Sequence, residues 1–178
     1  MQEKTAYYLC RINRWDTDWC LRFNQASRRR WVRDLFATVS RLGDGVFWYT
    51  LMALLLAWDG RHAVGAVAHM LAVGLICLAV YKWLKGKTLR PRPSALNQAI
   101  FTSVAPLDQF SFPSGHTLHA VGFSVVLLAY YPALGWLVIP FTALVAASRL
   151  VLGLHYPSDV LAGALIGASI ASASFGWW

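Results

Sequence analysis

Charged side chains are scarce in this chain: Asp, Glu, Lys and Arg make up 13% of its 178 residues, whereas 57% are hydrophobic. A soluble domain of this length needs far more charge to cover its surface, so the shortage points to a multi-span membrane protein built as one domain. Cysteine is scarce too. Cys10, Cys20 and Cys77 are odd in number and lack metal-ligand spacing, which leaves three unpaired thiols with packing roles. Met1 to Arg14 carries charge throughout and holds no apolar run, so a signal-peptide pattern is missing and insertion falls to internal spans. Internal repeats and low-complexity linkers are also missing.

Long uncharged runs take up most of the chain. Residues 63–81 contain no Asp, Glu, Lys or Arg, and at about 1.5 Å per residue they form a helix close to the hydrocarbon thickness. From Gln109 to Ser148 the same four residue types are missing, and Tyr130-Tyr131-Pro132 breaks that run at an interfacial turn, giving spans near 117–131 and 134–152. Val160 to Trp178 is uncharged and rich in the Ala, Gly and Ser that allow close helix contact. Between Asp44 and Asp59 the uncharged stretch is short for a crossing, so it is expected to extend backward through Leu42. The expected architecture is an all-α integral membrane bundle of about five to six helices with an N-terminal interfacial amphipathic helix. Residues 1–42 are expected to form the interfacial segment and residues 43–178 the transmembrane part.

The net charge is +8, and nine of the sixteen basic residues precede position 45, including Arg28-Arg29-Arg30 and Arg33. Beside Trp15, Trp19 and Trp31 such a cluster suits one or two amphipathic helices touching anionic headgroups of membrane lipids. A nucleic-acid partner is excluded because the rest of the chain is too apolar for a soluble binder.

Three polar islands interrupt the apolar runs: Lys85 to Pro93 (KGKTLRPRP), Phe112 to His116 (FPSGH) and Ser148 to Asp159 (SRLVLGLHYPSD). Each charge at the bilayer centre costs about 2.5–3.5 kcal/mol, so charge gathered this close to hydrocarbon marks a functional site. His155 and Asp159 are four residues apart at the expected start of the last helix, where a carboxylate can fix an imidazole tautomer and leave the other ring nitrogen as nucleophile or base. Arg149 offers a guanidinium fork that matches a phosphate. Ser114 and the Gly115 N–H fall at a helix N-terminus, which favours an anion, and His116 at the same end can give a proton to a departing oxygen. Lys85, Lys87, Arg90 and Arg92 add cations; spacing alone leaves open which of them meet phosphate. His119 is read chiefly as helix packing and Asp44 as a helix start, and His62 and His69 are given no role.

Lys85 with Arg92-Pro93, then Pro113-Ser114-Gly115-His116, then Ser148-Arg149 with His155 and Asp159, resembles in order and spacing the three-part signature of the type 2 phosphatidic acid phosphatase (PAP2) superfamily. The resemblance extends over about residues 43–176, and is to compact bacterial lipid phosphatases rather than soluble vanadium haloperoxidases. It implies that His155 attacks phosphorus to form a phosphohistidine, that Asp159 orients it, and that His116 protonates the leaving oxygen and then activates water. Lys85, Arg92, Ser114, Gly115 and Arg149 would hold the phosphoryl oxygens. Phosphoryl transfer chiefly needs positioning and charge. With no carboxylate cluster for Mg²⁺, neither a metal nor another cofactor is expected.

The expected activity is therefore hydrolysis of a lipid phosphomonoester or pyrophosphate, of undecaprenyl pyrophosphate, phosphatidic acid, phosphatidylglycerophosphate or lipid A type. A lipid phosphotransferase using the same phosphohistidine is the alternative, and a non-enzymatic transporter or scaffold a more distant one. The expected location is the cell inner membrane with the site on the extracytoplasmic, periplasmic face, although a positive-inside count would place the basic residues in the cytoplasm.

Overall fold

The computed structural model describes residues 2–102, 104–105 and 108–178, with side chains from Arg14 onward, so the Cys10 thiol lies outside the described residues. Helix α1, Gln2–Gln25, leads through a tight turn at Ala26–Arg28 into α2, Arg30–Arg41. Trp15, Trp19 and Trp31 stand exposed along these two helices, with Arg22 over the Trp19 ring.

The chain then passes through a π-helical turn, Leu42–Val46, into α3, Phe47–Asp59. Gly45 takes φ 128° inside that turn, a conformation that side-chain-bearing residues avoid. Helices α2 and α3 thus make one bent rod of about 45 Å, long enough to cross a bilayer, and the short run after Asp44 is completed backward through Leu42. A turn at Gly60–His62 reverses the chain into α4, Ala63–Thr88. The apolar run ends at residue 81, but the helix continues, because nothing in Lys82 to Thr88 breaks it. Lys85 and Lys87 therefore sit on its last turn, beyond the helix end expected at residue 81.

The short helix α5, Pro93–Leu96, lies in the connection to α6, Gly115–Tyr130. Tyr131 and a turn at Pro132–Leu134 break the next apolar run as expected and lead to α7, Gly135–Val151. A turn with Gly153 at φ 67° precedes α8, Pro157–Ser174. The segments Arg30–Thr88 and Pro132–Val151 are long and apolar enough to cross a membrane, and α6 is a shorter apolar helix. Large apolar side chains such as Trp58, Leu75, Trp136 and Leu161 are more than half exposed, which suits lipid and would be a liability in water.

Helix α6 is the central element, packed against α4, α7 and α8. Its Leu118, Phe123, Val126 and Leu127 join Trp48, Met70, Val73, Val138 and Val145 in one core. Phe47 and Phe141 stack at 3.7 Å between centroids beside it. Cys77 belongs to this core and Cys20 to a small cluster with Ile100 and Tyr156; both are free thiols. In lipid no hydrophobic gain drives helices together, so close backbone approach through small residues does. On α8, Gly163 and Gly167 lie one turn apart against the backbone of α6. A Cβ on Gly163 would sit 2.6 Å from the Ser114 carbonyl oxygen, and one on Gly167 2.2 Å from that of Leu118. The same contact brings Ser114 N within 3.0 Å of the Asp159 carbonyl, so this glycine seam joins the second and third islands.

Gly167→Ala is expected to cost about 1–3 kcal/mol through overpacking, read as a lowered thermal unfolding midpoint in detergent. Gly65→Ala, where an added Cβ meets nothing within 4 Å, should be neutral or slightly stabilising.

Candidate active site

The C-terminal ends of α4 and α7, the N-terminal end of α6, the π-helical turn and the residues just before α8 surround a cavity of about 590 Å³. Lys85, Arg92, Gly115, His116, Arg149 and His155 all line it. Ser114 and Asp159 lie behind that wall, both fully buried. The Ser114 hydroxyl bonds to that of Thr117 at 3.0 Å.

His155 sits in the turn between α7 and α8. Its Nδ1 lies 2.6 Å from the Ser111 carbonyl oxygen. A carbonyl can only accept, so Nδ1 carries the hydrogen and a neutral ring keeps its lone pair on Nε2. Asp159, expected to make this bond, stands farther away at 3.7 Å, an ion-pair distance. The reason is that its carboxylate is otherwise engaged: Oδ2 accepts from Tyr156 N at 2.9 Å in the helix-capping box of α8, and Oδ1 from Arg90 at 2.7 Å. Burial first, then the charges of Arg149, Arg92 and Lys85, push the His155 imidazole well below its ordinary range, which keeps the ring neutral.

Arg90, another cation of the first island, turns away from the cavity. Besides Asp159 it pairs with Asp16 of α1 at 2.6 Å and lies over the Tyr156 ring. Burial would lower its guanidinium, but Asp159 and Asp16 together raise it above the ordinary value. Asp16 also accepts from Ser158 N at 3.0 Å. Asn24 of the same helix donates to Val151 O at 2.9 Å and Phe101 O at 2.8 Å. The interfacial segment therefore contacts the residues that frame His155.

The other cations are handled differently. Lys85 Nζ reaches both oxygens of Asp108 at 2.6 Å and Phe110 O at 3.0 Å. Arg92 donates to Asp108 Oδ1 at 2.8 Å and to Leu154 O at 2.6 Å. Burial alone would raise the Asp108 carboxyl, yet its bonds to Lys85 and the charges of Lys85 and Arg92 hold it below the usual range. Arg149 is almost wholly buried, reaches Ser40 of α2, and its Nε finds no hydrogen-bond partner among the described residues. An unsatisfied buried guanidinium facing a cavity is a ready anion site.

His116 Nε2 bonds the carboxylate of Asp44. Asp44 is therefore no simple helix start: the helix runs on through its π-helical turn, and the wider turn carries the side chain to the cavity wall. His119 also lines the cavity, but its Nδ1 is bonded to the Gly115 carbonyl one turn back at 2.8 Å and its ring meets Tyr81 edge-on. Far from the cavity, His69 is buried between Tyr130 and Ser174 and stacked on Trp178.

Sequence reasoning missed Asp16, Asp44, Asp108 and the Ser111 carbonyl. The carboxylates had a faint signal, since the chain has only eight acidic residues and each one in an apolar membrane protein needs a partner. A main-chain carbonyl leaves no mark in sequence.

Taken together, the cavity offers an unprotonated imidazole nitrogen, a second imidazole backed by a carboxylate, and three cations at one end of a membrane bundle. The model of the PAP2 superfamily matches residues 63–178. An undecaprenyl-diphosphatase of Sulfolobus acidocaldarius is 30% identical over 142 residues, which cover 79% of this chain and 68% of that protein. A decaprenylphosphoryl-5-phosphoribose phosphatase of Mycobacterium tuberculosis is 32% identical over 144 residues, 75% of this chain and 73% of that protein. In fold, the chain is similar to the crystal structure of a transmembrane PAP2 type phosphatidylglycerolphosphate phosphatase from Bacillus subtilis, with a TM-score of 0.76 and 24% identity over 93% of this chain and 85% of that one. With the family match extending over more than half of its residues, this membrane chain belongs to the PAP2 superfamily of phosphatases.

Proposed function

We propose that this lipid phosphatase hydrolyses a polyprenyl phosphate or diphosphate, with His155 as nucleophile and a phosphohistidine as intermediate. The observation that carries the reading is the His155 ring: Nδ1–H is committed to the Ser111 carbonyl, so Nε2 is the nitrogen left to attack phosphorus from the cavity wall. Arg149, with its unfilled donor, and Lys85 and Arg92 hold the phosphoryl oxygens, together with the Gly115 N–H at the start of α6. His116 gives a proton to the leaving lipid oxygen and then takes one from the attacking water. The cations supply the charge stabilisation that phosphoryl transfer demands, and no step in this scheme calls on a metal.

The preference for a polyprenyl lipid rests on the two relatives named above, whose names specify undecaprenyl and decaprenyl substrates. The exposed apolar flanks of the bundle allow the hydrocarbon part to stay in the bilayer while the head enters the cavity. In this reading the site lies on the extracytoplasmic face of the inner membrane. Helix α8 runs from Asp159 at the cavity to Ser174 at the opposite end, so a reporter fused after Trp178 should then signal from the cytoplasm.

Purified protein in detergent with EDTA should release phosphate from undecaprenyl diphosphate faster than from phosphatidic acid, and His155→Ala should abolish release from both. Equal release by wild type and His155→Ala would sink the phosphohistidine scheme.

The protonation argument gives a second prediction. A lowered imidazole pKa means that the neutral, attacking form persists as pH falls, below the ordinary value of about 6.5. Imidazole ¹⁵N spectra in detergent should therefore show His155 neutral with hydrogen on Nδ1 at pH 6. A signal that titrates at the ordinary value, or hydrogen on Nε2, contradicts the assignment.

Asp159 and Arg90 form a third test. Arg90→Leu leaves a fully buried carboxylate without its cation, a loss expected to cost about 3–5 kcal/mol, measurable as a fall in the unfolding midpoint. Asp16, which shares Arg90, should give a similar fall when changed to Leu.

A further inference from the structure

Asp44 belongs to none of the three islands, yet it bonds the imidazole assigned to acid and base work. It reaches there across 72 residues of sequence because the rod formed by α2 and α3 bends at the right level. The π-helical turn Leu42–Val46 widens the backbone, and Gly45 at φ 128° permits the bend. Gly43 seats the turn against α7: a Cβ there would lie 3.0 Å from Val145 Cγ2. Both members of the pair line the cavity. Asp44 keeps 35% of its side chain exposed and His116 11%, so this pair is open to what enters and is not sealed in the core. Arg149 and His119 stand near the same imidazole, and His155 faces it across the cavity.

We propose that Asp44 is the positioning residue of His116. Its Oδ1 accepts from Nε2–H, fixes the ring plane, and stabilises the imidazolium against the neighbouring Arg149 charge. Nδ1 is then the nitrogen that exchanges the reaction's proton. The proposal rests on the phosphatase reading above. In the first step the His155 Nε2 pair forms a bond to phosphorus, the bond from phosphorus to the lipid oxygen breaks, and the Nδ1 proton of His116 passes to that oxygen. The products are the lipid alcohol or lower phosphate and phosphohistidine, with His116 neutral. In the second step water gives a proton to His116 Nδ1 while its oxygen bonds to phosphorus and the P–N bond breaks. Phosphate leaves, and the Asp44 bond to Nε2–H persists throughout. A carboxylate behind a catalytic imidazole thus serves the acid–base histidine here, whereas the nucleophilic His155 is oriented by a main-chain carbonyl.

The test compares leaving groups, because an alkoxide needs the proton and p-nitrophenolate does not. In detergent, kcat/KM is measured for wild type, Asp44→Asn, Asp44→Glu, His116→Gln, the Asp44→Asn/His116→Gln double variant and His155→Ala, on a lipid alkyl phosphate and on p-nitrophenyl phosphate. Because kcat/KM extends only to the first irreversible step, the aryl substrate reports attack by His155 without the acid. Asp44→Asn should lose about 100-fold on the alkyl substrate and less than about fivefold on the aryl one. Asp44→Glu should recover part of the alkyl rate, and the double variant should be no slower than the slower single, since the two act as one unit. Equal losses on both substrates, which a misfolded variant would also give, overturn the proposal, as do additive losses or wild-type alkyl rates in Asp44→Asn. Release that His155→Ala leaves unchanged overturns the phosphatase reading and this proposal with it. Release that depends on His155 but not on Asp44 overturns this proposal alone.

Discussion

Positive charge held at the end of an apolar bundle is the constraint to which the rest of the structure answers. Lys85, Arg92 and Arg149 are each nearly buried and face one cavity. Unpaired, such charges repel one another and lose hydration worth several kcal/mol per ion. The chain offsets this with Asp108, which meets Lys85 and Arg92 together, and among the described residues leaves Arg149 with the Ser40 hydroxyl and an unfilled Nε. The compensation is thus incomplete on one side, and that side is where an anion gains most.

The same charge sets the state of the imidazole proposed as nucleophile. An imidazole in water would be partly protonated near neutrality and so blocked. Beside three cations and out of water, His155 cannot easily take a second proton. In the proposed mechanism, phosphate binding and the activation of His155 are therefore one electrostatic effect and not two devices. It also explains why Asp159 is kept at 3.7 Å and shared with Arg90. A bare carboxylate in direct contact would pull the imidazole back toward its protonated form, whereas a carboxylate already neutralised by a guanidinium steadies the turn without doing so.

Much of this was legible in sequence, and the parts that were not share a cause. The uncharged runs gave the helices because lipid tolerates little else, and the islands gave the cavity because charge near hydrocarbon needs a reason. Six of the eight proposed site residues line one cavity, while Ser114 and Asp159 stand behind it. What escaped was pairing over distance: Asp16 with Arg90, Asp44 with His116, Asp108 with Lys85. Each partner is an ordinary Asp in its own neighbourhood, readable as a cap or a loop residue, and only tertiary packing decides which cation or imidazole it meets. The end of α4 was misplaced for a different reason. Hydropathy marks where apolar residues stop, but a helix of Lys, Trp, Leu and Gly can continue beyond the lipid, and Lys85 depends on that extra turn to point into the cavity.

The interfacial segment is the least expected participant. By composition it reads as an amphipathic anchor, but its Asp16 bonds Ser158 at the start of α8 and its Asn24 bonds Val151 at the end of α7, on either side of His155, and Ser40 of α2 holds Arg149. The turn from Leu152 to Tyr156 is short and carries a left-handed glycine, so without outside support it would have many conformations of similar energy. Helix α1 supplies that support through polar bonds of Asp16 and Asn24, buried side chains whose hydrogen bonds are the stronger for being dry. The placement of α1 and the geometry of His155 are then coupled: what holds α1 against these residues also holds His155 in register with the cavity.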